Sequence, residues 1–347
     1  LHAISTDGCG GDKTGEGFAS AAAAIGESDV AASMTLNERA QRLADFMATS
    51  AASLRIGVHT TAAGAKVLDC GIRAQGGLQA GLALARVCLA GQAEVALVPG
   101  EAAGVACPHI MVSSDVPVTA CMASQYAGWQ IQVDKYFAMG SGPFRAAYGK
   151  EEIFDHIAGR EYAPVAVGIL ETRKLPEDAV IAYLADALKL PAGKITLLAA
   201  PASSIAGTMQ VVARAMETAL HKLHELKFDL EHIVSGMGVA PLPPIAKDEL
   251  TAIGRTNDAI LYGGRVVLWV RTEDERIAEI GPKVPSCGSS DFGEPFARIF
   301  ERYNHDFYKI DPMLFSPAEI VFNNLASGRS FAFGGIRADV LGRSFSS

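Results

Sequence analysis

The chain has 347 residues, of which 49% are hydrophobic and 20% charged, the balance of a folded globular protein, which excludes a disordered regulator and a coiled coil. A net charge of -8 leaves no basic domain to neutralise phosphates, so nucleic acid is not an expected partner. At about 150 residues per domain, the length predicts roughly two domains.

Residues 1–33 are rich in Gly, Ala and Ser, carry scattered acids and show no sustained period. They are expected to form a disordered leader ahead of a start at Met34. No basic region followed by an apolar core opens the chain, which argues against a secretory signal. No stretch reads as a membrane span: the longest uncharged one, 195–213, is broken by Pro201, Ser203, Ser204 and Gly207. Six scattered cysteines without a C-x-x-C pattern read as reduced thiols of a cytoplasmic protein.

Thr35-Leu36-Asn37-Glu38 has the spacing of a capping box, and Leu36, Ala40, Leu43 and Met47 repeat at helical spacing, so a first helix is expected to about Ser50. A hairpin around Ala63-Gly64 follows, joining 54–60 to 66–70. Residues 78–89 read as an apolar helix and 94–98 as a strand. Residues 117–122 are expected to be a strand leading into another at 130–137, then a corner at Gly140-Ser141-Gly142-Pro143. Strands are expected at 165–170 and 195–200, with a proline-opened helix over 176–188. One long helix is expected over 205–226, a strand region over 261–270 interrupted by Gly263-Gly264, a helix at 295–303, and late strands at 320–324 and 331–333. Helices and strands alternate without a strict βαβ beat, and the hairpins imply antiparallel pairs. The class is therefore α/β in the loose sense (α+β) with mixed sheets. The expected division is a first domain over 34–125, completed by 275–347, and a second over 126–274.

Few residue patterns point to chemistry. The glycine corner between Lys135 and Arg145 is either a plain turn or a place where backbone N–H groups meet an anion. His221, His224 and His232 lack the spacing of a metal site, and no metal is expected. Cys287 sits in a loop-like segment without a nominated base, and no G-x-S-x-G elbow occurs. The long helix is more informative. Ile205, Met209, Val212, Met216, Leu220 and Leu223 form one apolar stripe, while Gln210, Arg214, Glu217 and His221 cluster opposite. Arg214 and Glu217 are i,i+3 neighbours, either a solvated surface pair or, if that face lines a cleft, a carboxylate base held by a guanidinium. Thr256-Asn257-Asp258 and the segment 304–312 read as turns, the second with aromatic rings beside polar groups that suit a flat heterocycle.

Taken together, 127–131, 133–143, Thr256-Asn257-Asp258, 284–287 and Asp306-Phe307-Tyr308-Lys309-Ile310-Asp311-Pro312 resemble the methenyltetrahydromethanopterin cyclohydrolases, in order from about Met34 to the C-terminus. The resemblance implies an enzyme that adds water to the methenyl bridge of a pterin carrier and releases the N5-formyl compound. It implies a cytoplasmic homotrimer with no cofactor, each subunit having two domains around a large pocket. The family's Arg-x-x-Glu pair falls on Arg214 and Glu217, after the Ser203-Ser204 loop. Substrate contacts are expected from Lys135, Tyr136, Ser141, Gly142, Arg145, Ser203, Ser204, Asn257, Asp258, Asp306, Tyr308 and Lys309, with Lys135, Arg145 and Lys309 as candidates for the anionic tail. Phe144 departs from the pattern, standing where a small residue is expected. The alternatives are a non-catalytic pterin-binding protein and another one-carbon enzyme. A formyltransferase is one such enzyme; a dehydrogenase should carry a G-x-G-x-x-G after a strand, and none occurs.

Overall fold

The structure, a computed structural model, describes residues 34–346, with the side chain of Tyr308 left aside. The expected leader over 1–33 lies outside the described residues. No helix among the described residues is long and apolar enough to cross a membrane.

Two six-stranded sheets organise the described residues. In the first, β1 (Gly57–Thr60) and β2 (Lys66–Asp69) form the expected hairpin. The second sheet begins with β3 (Glu94–Val98), and a short pair β4 (Glu101–Ala102) and β5 (Val105–Ala106) stands apart before β6 (His109–Ser114). The chain returns to the first sheet through β7 (Trp129–Val133), β8 (Tyr136–Ser141), β9 (Ala166–Glu171) and β10 (Ile195–Ala200), giving the order β1-β2-β10-β9-β8-β7. It completes the second with β11 (Ile233–Pro241), β12 (Arg265–Val270), β13 (Glu319–Asn324) and β14 (Ser330–Gly334), in the order β14-β13-β12-β11-β6-β3. Both sheets are mixed: β2, β10 and β9 run parallel, as do β12 and β13. The strands do not sort by the expected boundaries, since β2 pairs with β10 and β6 with β11.

Helix α1 (Leu36–Thr49) buries Leu36, Ala40 and Met47 of the expected stripe, with Ala44 buried beside them and Leu43 half-buried at its edge. Its first turn is held from far along the chain: both carboxylate oxygens of Glu161 accept from the backbone N–H groups of Leu36 and Asn37 at 2.7 and 2.9 Å. A negative group there also suits the positive end of the helix. With α2 (Leu78–Cys88), α1 covers one face of the first sheet, where Val167, Ile169, Leu198 and Ala200 meet Ala80, Leu84, Met47 and Ala206. On the other face α3 (Asp178–Leu188) packs Val180, Ile181 and Leu184 on Leu170 and Leu197.

Four expectations are corrected. Residues 118–125 form a π-helix, not a strand; a short apolar run has no period that separates the two. The segment 130–137 contains a turn, because Asp134 takes φ +50° and reverses the chain between β7 and β8. Thr256, Asn257 and Asp258 lie inside a helix, Glu249–Leu261, that ends before Gly263-Gly264. The long helix is two: α4 (Ile205–Val212) and α5 (Ala215–Glu225), interrupted at Ala213-Arg214. The helix at 249–261 is α6, and α7 (Phe296–Arg302) packs on it.

The N-terminal turn of α5 lies close against β11 because β11 carries glycine there. A Cβ on Gly238 would stand 2.8 Å from the backbone nitrogen of Met216. Gly238→Ala is therefore expected to lower stability by about 1–3 kcal/mol, as overpacking does, seen as a lower denaturant midpoint.

Candidate active site

The break at Ala213-Arg214 has a visible partner. Gln125, at the end of the π-helix, donates its side-chain amide to the Ala213 carbonyl at 3.1 Å, the carbonyl that a continuous helix would offer to the amide of Glu217. In return Arg214 Nη1 donates to the backbone carbonyl of Gln125 at 2.5 Å, and Nη2 donates to Ser141 Oγ at 2.9 Å. Gln210 Nε2 and the Cys88 thiol meet the same serine at 3.4 and 3.5 Å.

Glu217 lies one helical turn on, its Oε2 3.7 Å from Arg214 Nη1. Both side chains are buried, at 8% and 6% exposure, so the solvated-pair reading is excluded. The polar face of the helix pair points inward, with Gln210 buried as well. Burial pushes the Glu217 carboxyl up to about 6, against the pull of Arg214 and Arg145. A carboxylate in that range is poised to take and return a proton near neutral pH. Tyr126 stacks on His221 at 4.9 Å, and its hydroxyl is pushed up to about 12, chiefly by burial and then by Glu217.

The loop from β10 into α4 lies at the carboxyl end of the parallel strands of the first sheet, where ligands of open α/β sheets gather. Ser204 caps α4 by accepting from Gly207 N at 3.0 Å. Ser203 Oγ donates to Glu249 Oε2 at 2.7 Å, and the amide of Ala202 donates to Glu249 Oε1 at 2.8 Å.

The nominated residues separate accordingly. Arg214, Glu217 and Ser141 come together. Gly142 takes φ +95°, and its amide is spent on the Ser124 carbonyl at 2.8 Å, so the corner is a packed turn that does not turn this N–H to an anion. Arg145 is fully buried: its Nε and Nη2 donate to Glu151, Nε at 2.9 Å and Nη2 at 2.6 Å, and Nη1 donates to the carbonyls of Met122 and Ser124. It is corrected from a tail-binding cation to a structural one. Lys135 is in the exposed turn before β8, about 20 Å of strand from Ser141 at ~3.4 Å per residue, and does not flank the corner. Lys309 is exposed, 3.5 Å from Asp306. Tyr136 is buried in the core of the first sheet. Asn257 bonds back to the Ile253 carbonyl at 2.9 Å, and Asp258 accepts from the Phe296 amide at 2.8 Å, ahead of α7. The Tyr308 side chain lies outside the described residues. Phe144 is buried over Gly168, where an added Cβ would come within 2.5 Å of its ring, so a glycine on the neighbouring strand makes room for it.

Sequence reasoning missed Gln125, Glu171 and Glu249. Gln125 was hidden in a segment read as a strand and its approach. The two glutamates carry no local pattern, and only the pairing of strands and the fold of the 201–204 loop bring them near Arg214 and Ser203. Among the described residues, no group of three or more His, Cys, Asp and Glu side chains could hold a metal.

Removing Arg145 would strand Glu151 and two carbonyls. Arg145→Ala is therefore expected to cost about 3–5 kcal/mol in urea unfolding, the penalty of breaking a buried pair. A tail-binding arginine would instead leave stability alone and raise KM.

The chain matches the protein family described as Cyclohydrolase (MCH) over residues 35–345. It is 49% identical to the methenyltetrahydromethanopterin cyclohydrolase of Rhodopirellula baltica over 290 residues, covering 82% of this chain and 87% of that one. It is 42% identical to that of Methylobacillus flagellatus (91% and 97% covered) and 41% identical to that of Methanocella arvoryzae (90% and 98%). The buried Arg-x-x-Glu pair on an interrupted helix thus stands in a chain that belongs to the methenyltetrahydromethanopterin cyclohydrolase family.

Proposed function

We propose that this chain hydrates the methenyl bridge of 5,10-methenyltetrahydromethanopterin, or its dephospho form, to N5-formyl-tetrahydromethanopterin. The family membership gives the reaction, and the observation that carries the mechanism is the burial of Arg214 and Glu217 as a pair on an inward-facing helix break. The bridge carbon lies between two ring nitrogens in an amidinium-like cation and is already electrophilic. No resident metal or other cofactor is needed to activate it. Glu217 takes a proton from water as the oxygen attacks the carbon. The tetrahedral intermediate collapses by cleavage of the bond to N10, which receives a proton, leaving the formyl group on N5; one proton is released overall.

Arg214 fixes the position of Glu217 and favours its ionised form, while burial opposes ionisation. The two opposing effects leave a base that is ionised at neutral pH yet basic enough to remove a proton. Arg214 in turn is aimed by Gln125 and Ser141. Glu217→Gln keeps the shape but cannot accept the proton. It is expected to lower kcat by about 10²–10⁴ with pterin binding nearly intact, measured by loss of methenyl absorbance. Arg214→Ala should also slow the reaction, and the double variant should lose less than the product of the two factors, because the residues act as a unit.

The protein is proposed to act as a cytoplasmic homotrimer. Five cysteines among the described residues are unpaired, which suits a reducing compartment. One face of the second sheet supports self-association: Met237, Val267 and Val321 align across β11, β12 and β13, with Trp269 and Met111 beside them, all half-exposed on the face opposite α5. Trp269→Asp is expected to shift the mass in sedimentation equilibrium toward one chain. An unchanged trimer would move the interface elsewhere.

A further inference from the structure

One carboxylate near the site has no part in the chemistry above. Glu171 is the last residue of β9, in register with Met139 on β8 and Ala200 on β10. Side chains alternate along a strand, so Val167, Ile169 and Glu171 share one face. Val167 and Ile169 are buried there beneath α1 and α2, and Glu171 continues that row where it emerges at the carboxyl end of the sheet. Ser141, the anchor of Arg214 Nη2, pairs with Ile169 one step back on the same face. Glu171 therefore stands beside the Arg214 site, with only the small side chain of Ala200 on its β10 flank.

Its surroundings are unlike those of the other carboxylates nearby. Asp69, at the end of the parallel strand β2, accepts four backbone N–H groups at 2.7–3.1 Å. Glu249 accepts from Ala202 and Ser203, Glu161 from the first turn of α1, and Glu151 from Arg145. Among the described residues, no side chain or backbone group donates to the carboxylate of Glu171. It is half-buried, and burial raises its pKa, with Arg214 pulling it down and Glu249 pushing it up. A carboxylate that reaches solvent and accepts from no protein donor keeps both oxygens open to the donors of a ligand.

The substrate of the proposed reaction carries such donors. The pyrimidine edge of a pterin presents the ring N3–H and the exocyclic 2-amino N–H side by side, spaced to meet the two oxygens of one carboxylate. We propose that Glu171 is the substrate-orienting residue that accepts both hydrogen bonds from this edge, and so sets the pterin with its methenyl bridge toward Arg214 and Glu217. The proposal rests on the cyclohydrolase reading. It adds the group that reads the pterin, as distinct from the one that activates water.

The edge is common to the methenyl cation and the neutral formyl product, so the test compares the two directions of the reaction. In Glu171→Gln one acceptor becomes a donor facing a donor. KM for the methenyl compound in hydration and KM for the formyl compound in cyclisation are expected to rise together, by roughly 10- to 100-fold, with kcat within about threefold of wild type. Glu171→Asp, which keeps both oxygens, should recover part of the loss. It also serves as the test variant, with a smaller rise in both KM values, should the glutamine variant not fold. A fall in kcat at constant KM would overturn the proposal by placing Glu171 in the chemistry. A rise for the methenyl cation alone would show that it reads charge, and unchanged KM values would remove it from the site. A wild-type protein that binds the formyl compound but never bleaches the methenyl chromophore would sink the hydration reading, not this one.

Discussion

The site depends on one exchange of hydrogen bonds, in which Gln125 takes the Ala213 carbonyl and Arg214 takes the Gln125 carbonyl. The exchange interrupts what would otherwise be a single helix. Each bond has a net worth of about 1 kcal/mol, so giving up a helical bond for a side-chain one costs little in stability. What it changes is direction. Arg214 becomes the residue that caps α5, free of helical geometry, and its guanidinium reaches Ser141 on β8. Glu217 stays in the first turn of α5, within 3.7 Å of that guanidinium and shielded from water. A positive charge beside a buried carboxylate offsets part of the burial penalty, and the remainder leaves the carboxyl near 6.

Both sheets serve this arrangement. The first supplies Ser141 and, at the carboxyl ends of β9 and β10, Glu171 and the loop that opens α4. The second supplies the surface against which α5 is seated, with glycine at 238 so that the backbone of Met216 can approach. The buried ion pair of Arg145 and Glu151 ties the π-helix carbonyls of Met122 and Ser124 to the turn after β8. It therefore steadies the segment that ends in Gln125.

The sequence made much of this legible where the signal is local. The hairpin at 57–69, the strands at 94–98 and 195–200 and the apolar stripe of 205–223 follow from period alone, and the i,i+3 spacing of Arg214 and Glu217 marked the pair. Whether the pair faced water or the interior was not local. It is decided by Gln125, 89 residues from Arg214 in sequence, and by Ser141 on a strand. The same limit explains the cations. Lys135, Arg145 and Lys309 look alike as charges in sequence, but Glu151 claims Arg145, the turn at Asp134 carries Lys135 to the far end of β8, and Lys309 stands beside Asp306. Asp258 reads as turn chemistry because Asp favours turns; here it accepts from the amide of Phe296 while sitting inside α6.

The central claim is that Glu217, held near 6 by burial against the pull of Arg214, is the base that activates water. The direct measurement is the single-turnover rate of methenyl hydration across pH 4.5 to 8, read from the methenyl absorbance after rapid mixing. A protonated carboxyl cannot accept a proton, so the rate should be level above about pH 7 and fall about tenfold per pH unit below about 6. A rate that stays flat to the acid end of that range would contradict the account and leave Glu217 a structural partner of Arg214.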